Sequence, residues 1–217
     1  MLPVTHGSNS ISRGLYYIIG GTRYKCVQIG SQIWMAENLD YDISGSYYYD
    51  DDQSTYGRTG KKYGRLYPKV TVDYLESNKS TFFPGWHVPS LDEFKTLRTE
   101  VGYAVAGTAL KSTTDWSDAM GDGSTEFNAF PSGYRDYAGL YLGIGTDCRF
   151  WTTDSGAYTR TGQNVSIDRS YSYYVGMTSS SNELNIGYFV VSGGRINKTQ
   201  FFAKNTEAYS VRLVKDT

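Results

Sequence analysis

The sequence predicts an α+β protein that is rich in strands and loops and contains one well-signalled helix, at about residues 90–101. Among the 217 residues are 21 tyrosines and 24 glycines, and tyrosine favours strands while glycine favours turns. Helical periodicity is clear only around residues 90–101. The net charge of −1 gives no basic field for nucleic acid. We therefore expect no nucleic-acid partner.

The chain is long enough to bury the core of one large domain. We interpret residues 1–20 as an N-terminal tail, vector-derived or edge segment, and residues 21–217 as a single domain. The domain is predicted to begin with a hairpin over residues 24–39, because alternating residues run up to a Gly30-Ser31 turn. Trp34 and Met35, on the return strand, are expected in the core.

An acidic stretch follows, in which oxygen-bearing side chains occur close to the spacing of a calcium loop. Asp40, Asp42, Ser44 and Asp51 stand at positions 1, 3, 5 and 12, and Gly45 stands at position 6. Position 12 normally holds a glutamate, and neither flank is helical. Calcium is the only metal that this spacing suggests, and the two departures favour the alternative, a solvated acidic loop.

The helix is predicted from its N-terminal capping residues, the helical spacing of its apolar residues and the glycine that follows it. Ser90 can cap its N-terminus, and Glu93 lies three residues later, as a capping box requires. Gly102 is a natural stop. An apolar stripe recurs at helical spacing: Leu91, Phe94, Leu97 and Val101.

Residues 153–187 have the composition of a binding surface. Eighteen of these 35 residues are serine, tyrosine, glycine or asparagine, the mixture that antibody paratopes use. The alternative is that they are ordinary turn and strand-edge residues. The candidate ligand-binding residues are Tyr158, Tyr171, Tyr173, Tyr174, Asn182, Asn185, Arg195 and Asn197.

Few residues suggest chemistry. His87 is the only histidine inside the predicted domain, and a structural role is favoured over that of a catalytic base. Cys26 and Cys148 could form a disulfide or remain two free thiols. One histidine and two dispersed cysteines do not make a zinc site. No apolar run reaches the ~20 residues of a membrane span.

Seven stretches, in this order, resemble the Fibrobacter succinogenes major paralogous domain family. They begin with Ile29-Gly30-Ser31-Gln32-Ile33-Trp34-Met35 and include Gly85-Trp86-His87-Val88-Pro89-Ser90. The resemblance implies a C-type-lectin-like fold, in which strands from both ends of the chain pair and a long loop region precedes the last strands. The stretches are residues 29–39, 63–67, 85–90, 109–111, 133–135, 150–153 and 210–216.

One departure from the family pattern concerns cysteines. Members usually carry one cysteine just before the Gly-Trp-His motif and another in the closing strand. Phe82 or Phe83 and Leu213 stand at those places here. The resemblance therefore implies that apolar packing replaces a disulfide.

The family occurs in surface proteins and lipoproteins of Bacteroidetes. We therefore expect a non-enzymatic, adhesin-like module that binds a glycan or protein ligand through the tyrosine-rich loops. Its expected place is the cell surface, with or without a lipid anchor, or the outside of the cell. One alternative is a variable protein of a diversity-generating retroelement. Another is an enzyme that resembles the formylglycine-generating oxidase and uses Cys148. Apart from calcium, no cofactor is expected.

Overall fold

The computed structural model describes residues 11–162, 165–193 and 207–217, with side chains for 11–156, 172–185 and 207–217. These residues form two sheets and a few helices, which confirms the α+β, strand-rich class. The strands are β1 (Ile11–Ile19), β2 (Thr22–Ile29), β3 (Gln32–Met35), β4 (Tyr67–Pro68), β5 (Trp86–His87), β6 (Ser132–Arg135), β7 (Tyr141–Ile144), β8 (Asp147–Gly162), β9 (Val165–Thr178), β10 (Asn185–Gly193), β11 (Ala208–Tyr209) and β12 (Val214–Lys215). The helices are α1 (Gln53–Tyr56), α2 (Lys69–Ser77), α3 (Lys79–Phe82), α4 (Leu91–Val101) and α5 (Ala106–Leu110).

The first sheet has the strand order β1-β2-β3-β12-β5. The predicted hairpin is confirmed as β2 and β3, where Ile29 pairs with Gln32 across the turn and Gly30 adopts a φ of 60°. Strand β12 pairs with β3 on one side and β5 on the other. The sheet therefore joins the two ends of the described chain.

Residues 11–19 are part of this sheet. They form its edge strand β1, which pairs with β2 from Ile11–Ile29 to Ile19–Thr22. The division after residue 20 falls inside the tight turn between β1 and β2. Residues 1–10 lie outside the described residues.

The predicted helix is α4, and its start has the predicted capping box. Ser90 Oγ accepts from the Glu93 amide at 3.2 Å, and Glu93 Oε2 accepts from the Ser90 amide at 2.7 Å. Gly102 ends the helix with a φ of 94°. Helix α2 has nine residues and was not predicted, because it lacks a side-chain cap and carries three β-branched residues, which favour strands.

The second sheet has the order β10-β9-β8-β6-β11-β4, with β7 on β6. It corrects the expectation that residues 153–187 are loops, because most of them lie in the long antiparallel strands β8 and β9 and the start of β10. Tyrosine, which we attributed to a loop surface, is also favoured in strands, as are the threonine and valine residues of this segment.

The first sheet separates two apolar cores. Neighbouring residues enter opposite cores, as Trp34 and Met35 do, and both are fully buried as predicted. Phe83 and Leu213 are buried in the same core, and Phe82 packs against it; these are the positions at which the resemblance implied a disulfide. Apolar packing therefore fills that position.

Candidate ligand-binding site

The structure brings part of the predicted site together on the second sheet. Tyr158 lies on β8, Tyr171, Tyr173 and Tyr174 lie on β9, and Asn185 begins β10, where it pairs with Gly176. The side chains of Tyr158 and Tyr171 are not described, and Arg195 and Asn197 lie outside the described residues.

Asn182 lies in the connection between β9 and β10. It is exposed, and its Oδ1 accepts a hydrogen bond from the Thr108 hydroxyl at 3.1 Å. Asn182 therefore contacts α5 and does not line the pocket described below.

Arg149 organises the described part of this surface. Its guanidinium carbon lies 3.5 Å from the ring centroid of Tyr134, 5.2 Å from that of Tyr174 and 5.4 Å from that of Tyr209. Nε donates to Asp147 at 3.3 Å. Tyrosine rings attract a cation through their negative faces. Three rings and one carboxylate thus hold the guanidinium in place.

This arrangement continues into the sheet. The Tyr209 ring stacks on Trp151 with centroids 4.3 Å apart. Its hydroxyl accepts from Arg149 Nη1 at 3.3 Å and donates to Glu207. Burial raises the pKa of Asp147, although the neighbouring Arg149 opposes that shift. Burial likewise raises the pKa of Glu207.

A small pocket of about 160 Å³ opens beside the Arg149 guanidinium. The pocket is too small for a drug-sized molecule, since such sites occupy roughly 300–1,000 Å³. It has room for one side chain or one sugar substituent. The side chains of its lining residues carry carboxylate, guanidinium, phenol, hydroxyl and amide groups. The pocket is lined by Asp147, Arg149, Tyr174, Met177, Thr178 and Asn185, with the backbone of Gly176.

The loop beside the pocket is anchored to the core. Lys111 is 1% exposed, and its Nζ donates to the carbonyl of Ala119 at 3.0 Å and to that of Ser181 at 2.7 Å. The Gly107 amide donates to the Asn182 carbonyl at 2.7 Å. These bonds fix the 179–184 loop, which leads directly into Asn185.

The acidic residues proposed for calcium have other partners. Arg65 forms ion pairs with Asp40 at 3.5 Å and with Asp42 at 3.0 Å. Asp51 accepts from the Tyr141 hydroxyl at 2.6 Å, and Ser44 is exposed. In the described ranges, no three histidine, cysteine, aspartate or glutamate side chains form a group that could hold a metal ion.

The two thiols are free and buried. Cys26 and Cys148 lie in different apolar cores. Burial raises the pKa of each thiol to about 12. Both are therefore protonated at neutral pH.

His87 lies between two carboxylates. Its Nε2 is 2.8 Å from Glu93 Oε1, and its Nδ1 is 2.5 Å from Asp216 Oδ1. Glu93 is part of the capping box of α4, and the Asp216 amide donates to the Gly85 carbonyl. His87 thus links the helix start to the C-terminal strand.

His87 gives the fold a pH-dependent contribution. The hydrogen bond to Glu93 and, against the opposing effect of burial, that to Asp216 raise the pKa of His87 above 6.5. A raised folded pKa stabilises the protein fully below the unfolded pKa, and the contribution is lost as the pH rises through the folded pKa. As the pH rises through the folded pKa of His87, we expect the difference in unfolding free energy between wild type and His87→Gln to shrink by about 1 kcal/mol, a modest amount because the partly exposed ion pairs are screened by solvent.

Urea unfolding at a series of pH values from about 6 to about 9 measures this difference. His87→Gln is the matched variant because it keeps a hydrogen-bond donor but does not titrate. A difference that stays constant across the series would show that His87 does not titrate as part of this link.

Sequence reasoning missed Arg149 and Asp147 as site residues. The tyrosine partners of Arg149 come from β6, β9 and β11, so their meeting depends on the sheet order. The one feature of the sequence that could have pointed to Arg149 is a cation in an aromatic strand, and that feature is common and nonspecific.

Fold and site together define a strand-rich α+β domain with a polar-aromatic pocket on its second sheet. Among the described residues, no helix is long and apolar enough to cross a membrane. The family described as Fibrobacter succinogenes major domain matches residues 27–215. Because the match covers nearly the whole chain, the chain belongs to this family. No curated protein and no solved structure gave a significant match.

Proposed function

We propose that the chain is a non-enzymatic ligand-binding module of the bacterial cell surface, with an adhesin-like role and an extracellular glycan or protein as ligand. One observation carries the proposal: the pocket beside Arg149 combines a held cation, an aromatic ring and an amide at the base of the tyrosine-rich strands. Binding sites typically place a few oriented polar groups beside apolar surface. In this proposal the pocket takes one group of the ligand, and β8, β9 and β10 contact the rest.

The preorganised state of the pocket supports binding. Arg149 and Asp147 are each 20% exposed at the side chain, and they hold one another. The Tyr174 ring meets Tyr209 edge-on with centroids 5.0 Å apart. Groups that are fixed before binding lose little entropy when the ligand arrives.

The oxidase-like alternative has less support. It needs a reactive thiolate, whereas burial raises the pKa of Cys148 to about 12. His87, the other group considered for chemistry, is engaged by two carboxylates. A binding role needs neither group.

A more specific form of the proposal is a variable protein of a diversity-generating retroelement. It is suggested by the tyrosine, serine and asparagine content of residues 153–187, of which Tyr174 and Asn185 line the pocket. A nearby near-copy of the 3′ coding end that differs only at adenines would support it, and the absence of such a copy would refute it.

We further propose that the fold is a variant of the C-type-lectin-like fold and that the parent protein is surface-exposed or lipid-anchored. The pairing of β12 between β3 and β5 supports the fold proposal, because it joins the chain ends as that fold requires. An experimental structure compared with lectin-like domains tests it.

A screen of the purified chain on arrays of glycans and extracellular proteins, with and without calcium, tests the binding proposal. For a ligand found in this way, we expect Asn185→Ala to weaken binding about tenfold. The hydrogen bond from Asn185 to the bound ligand, together with its packing, should contribute about 1–2 kcal/mol. Tyr174→Phe should weaken it less, since the ring remains. Fluorescence anisotropy or surface plasmon resonance measures the change.

Ser180→Ala is the control, because Ser180 is exposed in the same loop and does not line the pocket. Its binding should equal that of wild type. Unchanged binding in both pocket variants would refute this site, and no binding on any array would count against the function itself.

A further inference from the structure

A second, larger groove lies beside the acidic stretch. It runs between residues 41–44, helix α2 and the end of helix α3 and has a volume of about 580 Å³. Its lining is mainly apolar, and its polar members are Asp42, Ser44 and Thr71. The apolar part is formed by Tyr41, Ile43, Val70, Tyr74 and Phe82.

Aromatic rings form a continuous row along this groove. The Tyr74 and Phe82 centroids are 5.8 Å apart, and the Phe82 and Tyr41 centroids are 5.6 Å apart. Tyr74 is 54% exposed and Val70 is 69% exposed. Adjoining exposed apolar residues beside a groove typically mark a binding site.

Two ion pairs turn their carboxylates outward near the groove. The Lys69 side chain is 4% exposed and its partner Asp73 is 61% exposed. The Arg65 side chain is 12% exposed and its partner Asp42, on the groove wall, is 82% exposed. A ligand in the groove therefore meets negative charge, while the two cations remain buried behind it.

The wall that carries Tyr41 is fixed in advance. The Tyr67 hydroxyl accepts from the Tyr41 amide and donates to the Tyr41 carbonyl, both at 2.9 Å. Ser46 closes the adjacent turn by donating to the Ile43 carbonyl at 2.7 Å. The groove thus exists without a ligand.

We propose that this groove binds an extended, proline-containing peptide segment that carries a basic side chain. Polyproline segments dock against rows of aromatic rings because their conformation is already formed and their rings are flat. The outward carboxylates favour a cationic neighbour over a neutral sugar. This site is separate from the pocket beside Arg149.

The test uses a fluorescently labelled proline-rich peptide that ends in two arginines, and a matched peptide in which glutamates replace the arginines. We expect saturable anisotropy for the arginine peptide only. Tyr74→Ala should weaken binding at least about tenfold, since central aromatic residues dominate such interfaces. Asp42→Asn should weaken it by about three- to tenfold and reduce its salt dependence.

Tyr137→Ala is the control, because Tyr137 is 71% exposed but does not line the groove. Circular dichroism establishes that each variant is folded. The proposal is overturned if the arginine peptide does not bind, if the glutamate peptide binds equally well, or if Tyr74→Ala has no effect. It is also overturned if chitobiose shifts the backbone-amide NMR resonances of residues 41–44 and 70–74 and the arginine peptide does not.

Discussion

Replacing Arg212 with methionine is expected to lower the free energy of unfolding by about 3–5 kcal/mol, the range seen when a buried charged group loses its partners. The Arg212 side chain is fully buried. It donates to Asn38 Oδ1 at 2.8 Å and to the carbonyls of Asn128 at 2.6 Å, Met35 at 3.2 Å and Phe127. Methionine fills similar space but leaves these acceptors buried without a donor.

The position of Arg212 explains why the effect should be large. Residues 208–215 run from the second sheet, at β11, to the first sheet, at β12. Val211 and Leu213 enter one core, and Arg212 lies over the Phe127 ring at 4.5 Å. Burial lowers the pKa of Arg212 to about 9, so the side chain stays charged at neutral pH.

Urea denaturation of three variants separates the contributions. Arg212→Lys keeps the charge but lacks the planar fork, so its loss should be smaller, at about 2 kcal/mol. Arg23→Met is the control, because Arg23 is exposed, and its effect should stay within about 0.5 kcal/mol. If Arg212→Met were as stable as Arg23→Met, Arg212 would not hold the crossing segment.

Replacing Lys111 with methionine is expected to lower the free energy of unfolding by about 2–3 kcal/mol, because two buried carbonyls lose their donor. The ammonium group also lies 4.8 Å from the Trp116 ring centroid. The carbonyls and the ring hold the Lys111 amine in a poorly hydrated place, and this burial lowers its pKa. The 179–184 loop should become more mobile when these bonds are removed.

Thermal and urea unfolding measure the loss of stability, and amide hydrogen exchange in residues 179–184 measures the local change. Lys95→Met is the matched control, since Lys95 is 48% exposed at the side chain and pairs only with Asp92 among the ion pairs of the described residues. Equal unfolding free energies for the two variants would contradict the anchoring role of Lys111.

Local signals in the sequence predicted the local parts of the fold. The Ser90–Glu93 capping box and the Gly30-Ser31 turn each depend on a few neighbouring residues. Helix α2 was missed because no side chain caps it. The strand order of the second sheet depends on distant pairings that periodicity does not encode.

The candidate site illustrates the same limit. The composition of residues 153–187 drew attention to Tyr174 and Asn185, which do line the pocket. Arg149 was not chosen, because its tyrosine partners are distant in sequence. The calcium spacing was matched in sequence, but Arg65 pairs with Asp40 and Asp42 in the fold.

Backbone-amide NMR shifts test most directly whether a ligand occupies the pocket beside Arg149. They are recorded while the first ligand identified on the arrays is added to the isotope-labelled chain. We expect the largest shifts at residues 174–178 and at Asn185. Shifts confined to residues 41–44 and 70–74, or to any surface away from the pocket, would contradict it.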